Sequence, residues 1–174
     1  KFKWPVAMIR DREGNLLVSD EFLHRITVLS SEGQFINKWG EYGSGDGQMN
    51  RPSGIAFDSD ENVYIADTRN HRIQKFTNDG RFLLEFGSEG AGSGQLNLPW
   101  GLTLGDGGDV YVADWGNDRI QRFSADGEFL AKYGTSGRGD GQLYRPSGVA
   151  VDHDGYIYVA DWGNQRVQVL DPEG

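Results

Sequence analysis

A self-match at a spacing of 47 residues, four short apolar runs in each copy, and Asp/Asn/Gly clusters between those runs predict an all-β chain, a β-propeller of four-stranded antiparallel blades. The spacing is read without a gap from Pro5, Pro52, Pro99 and Pro146, from Asp20, Asp67, Asp114 and Asp161, and from Arg25, Arg72, Arg119 and Arg166. Gly33, Gly80, Gly127 and Gly174 keep it, as do Gln48, Gln95 and Gln142. The repeats are 4–50, 51–97, 98–144 and an incomplete 145–174, all within one propeller region over 1–174.

In the second repeat the four apolar runs are GIAF, NVYIA, RIQKF and FLLEFG. Runs this short and this rich in Val, Ile, Tyr and Phe favour strands over helices. "VYIA" is apolar on both faces, as a sheet packed on both sides requires. DREGN, DSDEN, GDGGD and DHDGY join the first two runs, while SSEGQ, TNDGR and SADGE join the last two. Asp, Asn and Gly tolerate positive φ, so these clusters read as hairpin turns. Blades are expected over 4–39, 51–86 and 98–133, with an incomplete one from 145. One blade has two apolar faces, and only neighbouring blades can cover them.

The string PSGIAFD, NVYIADTRNHRIQKF, GRFLLEFG and GSGQLN closely resembles the NHL repeat, including the stretch Asn70-His71-Arg72. The resemblance covers essentially the whole chain. It implies radial blades, most often six, with the first strand of each at a central channel. The first repeat departs most: Leu23 replaces the asparagine found at 70, 117 and 164, Glu21 stands where two copies have Trp, and VAMIR lacks the glycine of Gly54, Gly101 and Gly148. Terminal repeats are usually the atypical ones.

In each repeat an aspartate ends the second strand and an arginine opens the third. Asp20/Arg25, Asp67/Arg72, Asp114/Arg119 and Asp161/Arg166 are therefore expected as structural ion pairs, because an active site needs one special copy. Lys1 is not an initiator methionine, so the chain is expected to be a processed product or a piece of a longer one. The fourth repeat, from Arg145, stops at Gly174, and residues 1–3 are out of register to supply its outer strand. About three and three-quarter blades are expected as an open arc, either part of a larger six-bladed ring or one of several copies that associate.

There is no cysteine, which excludes disulfides, zinc–thiolate sites and thiol nucleophiles. No apolar run approaches the roughly 20 residues that cross a bilayer, so no membrane partner is expected. Net charge is −9, which argues against nucleic acid unless cations segregate on one face. Sorting charges by blade topology puts ten carboxylates against eight guanidiniums on the top, the face of the second-to-third turns and the blade-to-blade connections. The bottom carries fifteen against two.

The near-neutral top also holds Arg51, Arg69, Trp100, Trp115, Arg138, Tyr144, Arg145 and Trp162, the expected ligand- or partner-binding residues. Trp115 and Trp162 occupy equivalent positions, and packing against the next blade is their competing role. Arg51, Trp100, Arg138 and Arg145 lie in long Gly-rich connections. No GxxxxGK[ST] phosphate loop exists. The carboxylates of DSDE and DHDG lack the spacing of a calcium loop and read as solvated turns.

No catalytic site, metal or cofactor is expected. The innermost strands carry no His and no mid-strand carboxylate, and there is no G-x-S-x-G elbow. His24 and His71 share one turn position, whereas His153 lies on the opposite face. Three function classes follow, in order: a non-catalytic scaffold binding a protein or small ligand on its top, an RNA-binding NHL propeller, and a fragment of a six-bladed hydrolase or lyase.

Overall fold

A computed structural model describes residues 1–174. The first sheet is β1 (Pro5–Arg10), β2 (Leu16–Asp20), β3 (Arg25–Leu29) and β4 (Phe35–Trp39). The second is β5 (Pro52–Phe57), β6 (Val63–Asp67), β7 (Arg72–Phe76) and β8 (Phe82–Phe86). The third is β9 (Pro99–Leu104), β10 (Val110–Asp114), β11 (Arg119–Phe123) and β12 (Phe129–Tyr133). A short parallel pair, β13 (Thr135–Ser136) with β14 (Gln142–Leu143), lies in the connection to the fourth sheet. That sheet has three strands, β15 (Pro146–Val151), β16 (Ile157–Asp161) and β17 (Arg166–Leu170). Every sheet runs in simple sequence order and is antiparallel within the blade, so the protein is an all-β propeller of the expected blades.

The turns form as their residues dictate. Asp11, Asp58 and Asp152 each use Oδ1 to accept a backbone N–H four residues on, at 2.7, 2.8 and 2.9 Å, closing the first hairpin of three blades. Burial pushes all three carboxyls up, but these bonds hold them below the ordinary range, together with side-chain bonds from Asn15 to Asp11, from Asn62 and Lys75 to Asp58 and from Tyr158 to Asp152. On the top, single 3-10 turns at Thr68–Asn70, Trp115–Asn117 and Trp162–Asn164 end in left-handed residues, His71, Asp118 and Gln165.

The inner strands pack in succession, β1 on β5, β5 on β9 and β9 on β15. Their backbones approach closely: a Cβ on Gly101 would sit 2.6 Å from the Ser147 carbonyl oxygen. Three cores fill the spaces between blades, around Leu17, Ile26 and Phe76, around Tyr64, Ile73 and Phe123, and around Tyr111, Ile120 and Val159. Each fully buried side chain of this size contributes about 1.5–3 kcal/mol relative to exposure. Met49, Leu96 and Leu143, one from each connection, are fully enclosed and lock that connection to the blades.

A polar clamp accounts for the constant positions of the repeat. In blade two, Arg72 donates from Nε to Asp67 Oδ2 at 2.9 Å and from Nη2 to the carbonyls of Gly45 and Gln48 in the incoming connection. Gln74 and Asn70 each donate both to Asp67 Oδ2 and to that connection, at Gln48 O and Gly43 O. Arg119, Gln121 and Asn117 repeat the pattern on Asp114, as do Arg166, Gln168 and Asn164 on Asp161. The connection's own glutamine completes it: Gln48, Gln95 and Gln142 accept the amides of Gly45, Gly92 and Gly139.

The first blade breaks this rule, which corrects the expected Asp20/Arg25 pair. Asp20 accepts the backbone N–H groups of Lys3, Trp4, Phe22 and Leu23 and makes no ion pair. Arg25 reaches only Lys1 O at 3.4 Å, and its buried Nε lacks a partner. Leu23 supplies no amide side chain here.

The two end flanks are uncovered. Val167 on β17 is 69% exposed, whereas Ile120 at the equivalent position of β11 is 0%. Met8 and Phe35 are exposed on the first blade.

Candidate binding site on the top face

Against the constant frame, three of the variable positions lie where the inner strands meet the top. The residue before the strand-opening proline is Trp4, Arg51, Leu98 or Arg145. The residue after it is Val6, Ser53, Trp100 or Ser147. The residue following the clamp aspartate is Glu21, Thr68, Trp115 or Trp162. Where the second and third of these meet, Trp100, Trp115 and Trp162 enclose with Ser147 a cavity of about 420 Å³. That is the size range of small-molecule sites.

A depression of about 250 Å³ adjoins it, sharing Trp100 and Trp115 and adding Trp4, Glu21, Arg51 and Arg69. A third, of about 150 Å³, continues past Trp4 to Phe22 and His24. The three form one trough over all four blades. Below it the hydroxyls are spent internally: Ser19 Oγ donates to Ser53 O (2.6 Å), Ser53 Oγ to Trp100 O (2.7 Å) and Thr68 Oγ1 to Pro99 O (2.8 Å).

The trough walls are fixed across blade junctions. His24 Nδ1 accepts the Arg51 N–H at 3.0 Å, His71 Nδ1 accepts that of Leu98 at 3.2 Å, and Asp118 Oδ1 accepts that of Arg145 at 2.7 Å. Burial and the nearby Arg51 guanidinium push the His24 pKa below its ordinary value, against the pull of Asp67, Asp20 and Glu21. Arg51 Nη1 pairs with Glu21 Oε1 at 3.1 Å. The Arg145 guanidinium lies 4.7 Å from the Trp115 ring and 5.4 Å from that of Tyr144.

Of the sequence-predicted residues, Trp100, Trp115 and Trp162 meet, Arg51 and Arg69 line the adjoining depression, and Arg145 and Tyr144 stack behind Trp115. Trp162, on the last blade of the chain, is 61% exposed. Arg138 stands elsewhere, in a polar depression of about 330 Å³ with Asn164 and Arg166. Trp4, Glu21 and Ser147 were not among the expected residues. Comparing the variable positions of the repeats, instead of seeking aromatic and Arg residues alone, picks them out.

Two of the clamp carboxylates are shifted in opposite directions. Burial raises the Asp67 pKa, despite bonds from Asn50, Asn70 and Arg72. Burial pushes Asp161 the same way, yet bonds from Tyr144, Asn164 and Arg166 outweigh it, because its blade has an open flank and less protein around it. On the bottom, Arg12 ties the first two blades through Glu61 (2.7 Å) and Ser59 O (2.5 Å). No group of three or more His, Asp or Glu stands close enough to hold a metal ion. No helix is long and apolar enough to cross a membrane.

The chain is an arc of repeated blades with a tryptophan-walled trough where the inner strands open. Residues 49–76, 96–123 and 143–170 match the family model of the NHL repeat, and the chain is an NHL-repeat β-propeller. In structure it is similar to virginiamycin B lyase from Staphylococcus aureus, solved as a catalytically inactive form with quinupristin, with a TM-score of 0.72 and 18% identity over 97% of this chain and 56% of the lyase. A protein of unknown function from Bacteroides caccae gives 0.72 and 17%, over 98% of this chain and 64% of that one. A gluconolactonase from Xanthomonas campestris gives 0.67 and 19%, over 90% and 54%. The chain thus spans just over half the length of the lyase and the lactonase, and identities this low show a shared fold. No curated protein matches the sequence.

Proposed function

We propose that this NHL propeller is a non-catalytic binding scaffold that recognises a protein or small ligand through its top-face trough. The observation that carries this reading is the cavity of about 420 Å³, whose lining of Trp100, Trp115, Trp162 and Ser147 contains no acid or base. Ser147 has no activating histidine in that lining, and Nδ1 of both His24 and His71 is engaged with a backbone amide. Rigid aromatic walls with few polar groups suit recognition over reaction.

A thermal-shift screen of small molecules and peptides tests it. Ligands should raise the melting temperature of the native chain, leave Trp100→Ala unmoved, and be recovered chemically unchanged. Turnover of a bound ligand to a new product would replace the scaffold with the lyase or lactonase reading that the structural neighbours' activities suggest. RNA binding is the second reading, favoured by Arg51, Arg69 and Arg145 around indole faces. A net charge of −9 opposes it.

A further inference from the structure

We propose that the trough takes an acidic oligosaccharide, a short chain of sugar rings bearing carboxylates. This rests on the binding reading above and names the ligand class for the same site.

The donors left over in the trough set the chemistry. None of the Trp4, Trp100, Trp115 and Trp162 indole N–H groups donates to a protein acceptor, so the polar edge of each ring is available to a ligand. Ser147 occupies the repeat position of Ser53 but makes none of that residue's hydroxyl bonds. Glu21, the carboxylate of the trough, is already paired with Arg51. Arg69, in the trough lining, is exposed and makes no ion pair, and Arg145, behind the Trp115 wall, has no carboxylate partner for its guanidinium. The site is therefore rich in donors, short of acceptors and locally positive on an acidic protein. It calls for a ligand with many acceptor oxygens, some negative charge, and flat apolar faces for the indoles.

Other occupants fit less well. An extended peptide binds by main-chain hydrogen bonds. Here the strand openings at Pro5, Pro52, Pro99 and Pro146 have no N–H to offer. The neighbouring carbonyls of Ser53, Pro99 and Trp100 are taken by Ser and Thr hydroxyls. A cationic ligand would meet Arg69 and Arg145 with no free carboxylate. A polyanion such as RNA would meet the repulsion of the whole acidic surface, which a ligand of few charges largely escapes. Sugar rings present C–H faces to stack on indoles and oxygens around the ring, and three joined depressions match a chain of a few units.

Calorimetric titration of the 174-residue chain with tetragalacturonate, neutral cellotetraose and oligouridylate tests this. Tetragalacturonate should bind in the micromolar range and weaken with added salt. Arg69→Gln should weaken it by about tenfold, and Trp162→Ala should abolish it. Both side chains are exposed, so unchanged melting curves should confirm the fold of each variant. Cellotetraose should bind at least about tenfold more weakly. Equal affinity for the neutral sugar, tighter binding of oligouridylate, or no saccharide binding at all would each overturn the proposal. In the last case, a different ligand that stabilises the native chain but not Trp100→Ala would leave the scaffold reading standing.

Discussion

His24 Nδ1 accepts the backbone N–H of Arg51 at 3.0 Å, so a turn of the first blade holds the residue that opens the second. His24 is left-handed at φ 52°, as are its counterparts His71 at 54° and Asp118 at 54°. Two of the three junctions thus rely on an imidazole that accepts, which requires it to be neutral at Nδ1. Protonation converts the acceptor to a donor and places a second cation beside Arg51.

This junction predicts a pH dependence. His24 has a folded pKa depressed below its ordinary 6.5, so the unfolded chain binds the proton more readily. The stabilisation is complete above that ordinary value and declines as pH falls below it toward the folded pKa. Arg51 favours the neutral form, whereas Asp67, Asp20 and Glu21 oppose the shift. One such hydrogen bond is worth about 1 kcal/mol. For a chain of this length that is about 2–4 °C in melting temperature. His24→Asp copies the third blade's own solution, Asp118, and should flatten the fall between neutral and mildly acid pH. Parallel melting profiles for the two proteins would show that the imidazole is not the group that titrates.

The clamp predicts unequal costs for the same substitution in different repeats. Asp114 accepts Arg119, Asn117 and Gln121 side chains and the Asn97 amide, so Asp114→Ala leaves a buried guanidinium unpaired. Breaking a buried pair from one side costs about 3–5 kcal/mol. Arg119→Ala should be comparably damaging, whereas Arg25→Ala, at a position with no ion pair, should cost less than about 1 kcal/mol. Urea denaturation of the three variants checks this, and a large loss from Arg25→Ala would contradict the unpaired first blade.

Glycines in the outer hairpins predict a similar contrast. Gly127 has φ +86°, and a Cβ there would lie 2.5 Å from Phe86 Cβ on the preceding blade. Gly33 has φ +78° with nothing within 4 Å. Gly33→Ala should cost only the left-handed strain of about 1–2 kcal/mol. Gly127→Ala should cost that plus a displaced ring, and equal losses in thermal melts would place the effect in backbone strain alone.

The sequence carries the blade frame openly because each constant position answers a repeated contact. The prolines open inner strands, the Asp–Asn–Arg–Gln positions form the clamp, and the glycines pass under a neighbour's aromatic ring. A repeat period assumes, however, that every copy has the same surroundings. Asp20 and Arg25 match the period in type yet do not pair, because Asp20 is taken up by the backbone N–H groups of Lys3, Trp4, Phe22 and Leu23. The trough was legible only in part. Trp100, Trp115 and Trp162 stood out as aromatics, but their meeting brings a residue of an inner strand against the 3-10 turns that follow two second strands, a juxtaposition that spacing alone does not give. Arg138 shares the Gly-rich connections with Arg51 and Arg145, yet its side chain lies toward Arg166, outside the trough. The histidines carried no signal beyond a shared turn position, since accepting a backbone N–H requires only a left-handed residue with a short acceptor.

The exposed flanks predict how the 174-residue chain behaves in solution. β17 pairs with β16 on one side only, leaving a row of main-chain donors and acceptors open on the other. Val169 on this strand is 54% exposed, and Tyr156 and Tyr158 are exposed on the same blade, while Tyr111, the interior equivalent of Tyr158, is buried. Open strand edges recruit other chains, and apolar flanks add to the drive. A standard interface buries on the order of 1,600 Å². A pair of arcs related by a twofold axis, the last blade of each meeting the first blade of the other, would cover both flanks of both copies. Sedimentation at low micromolar concentration should therefore give a dimer, and Val167→Lys with Val169→Lys should return it to monomer while leaving the trough intact. A native chain that sediments as a monomer at that concentration would show that the two flanks do not drive association.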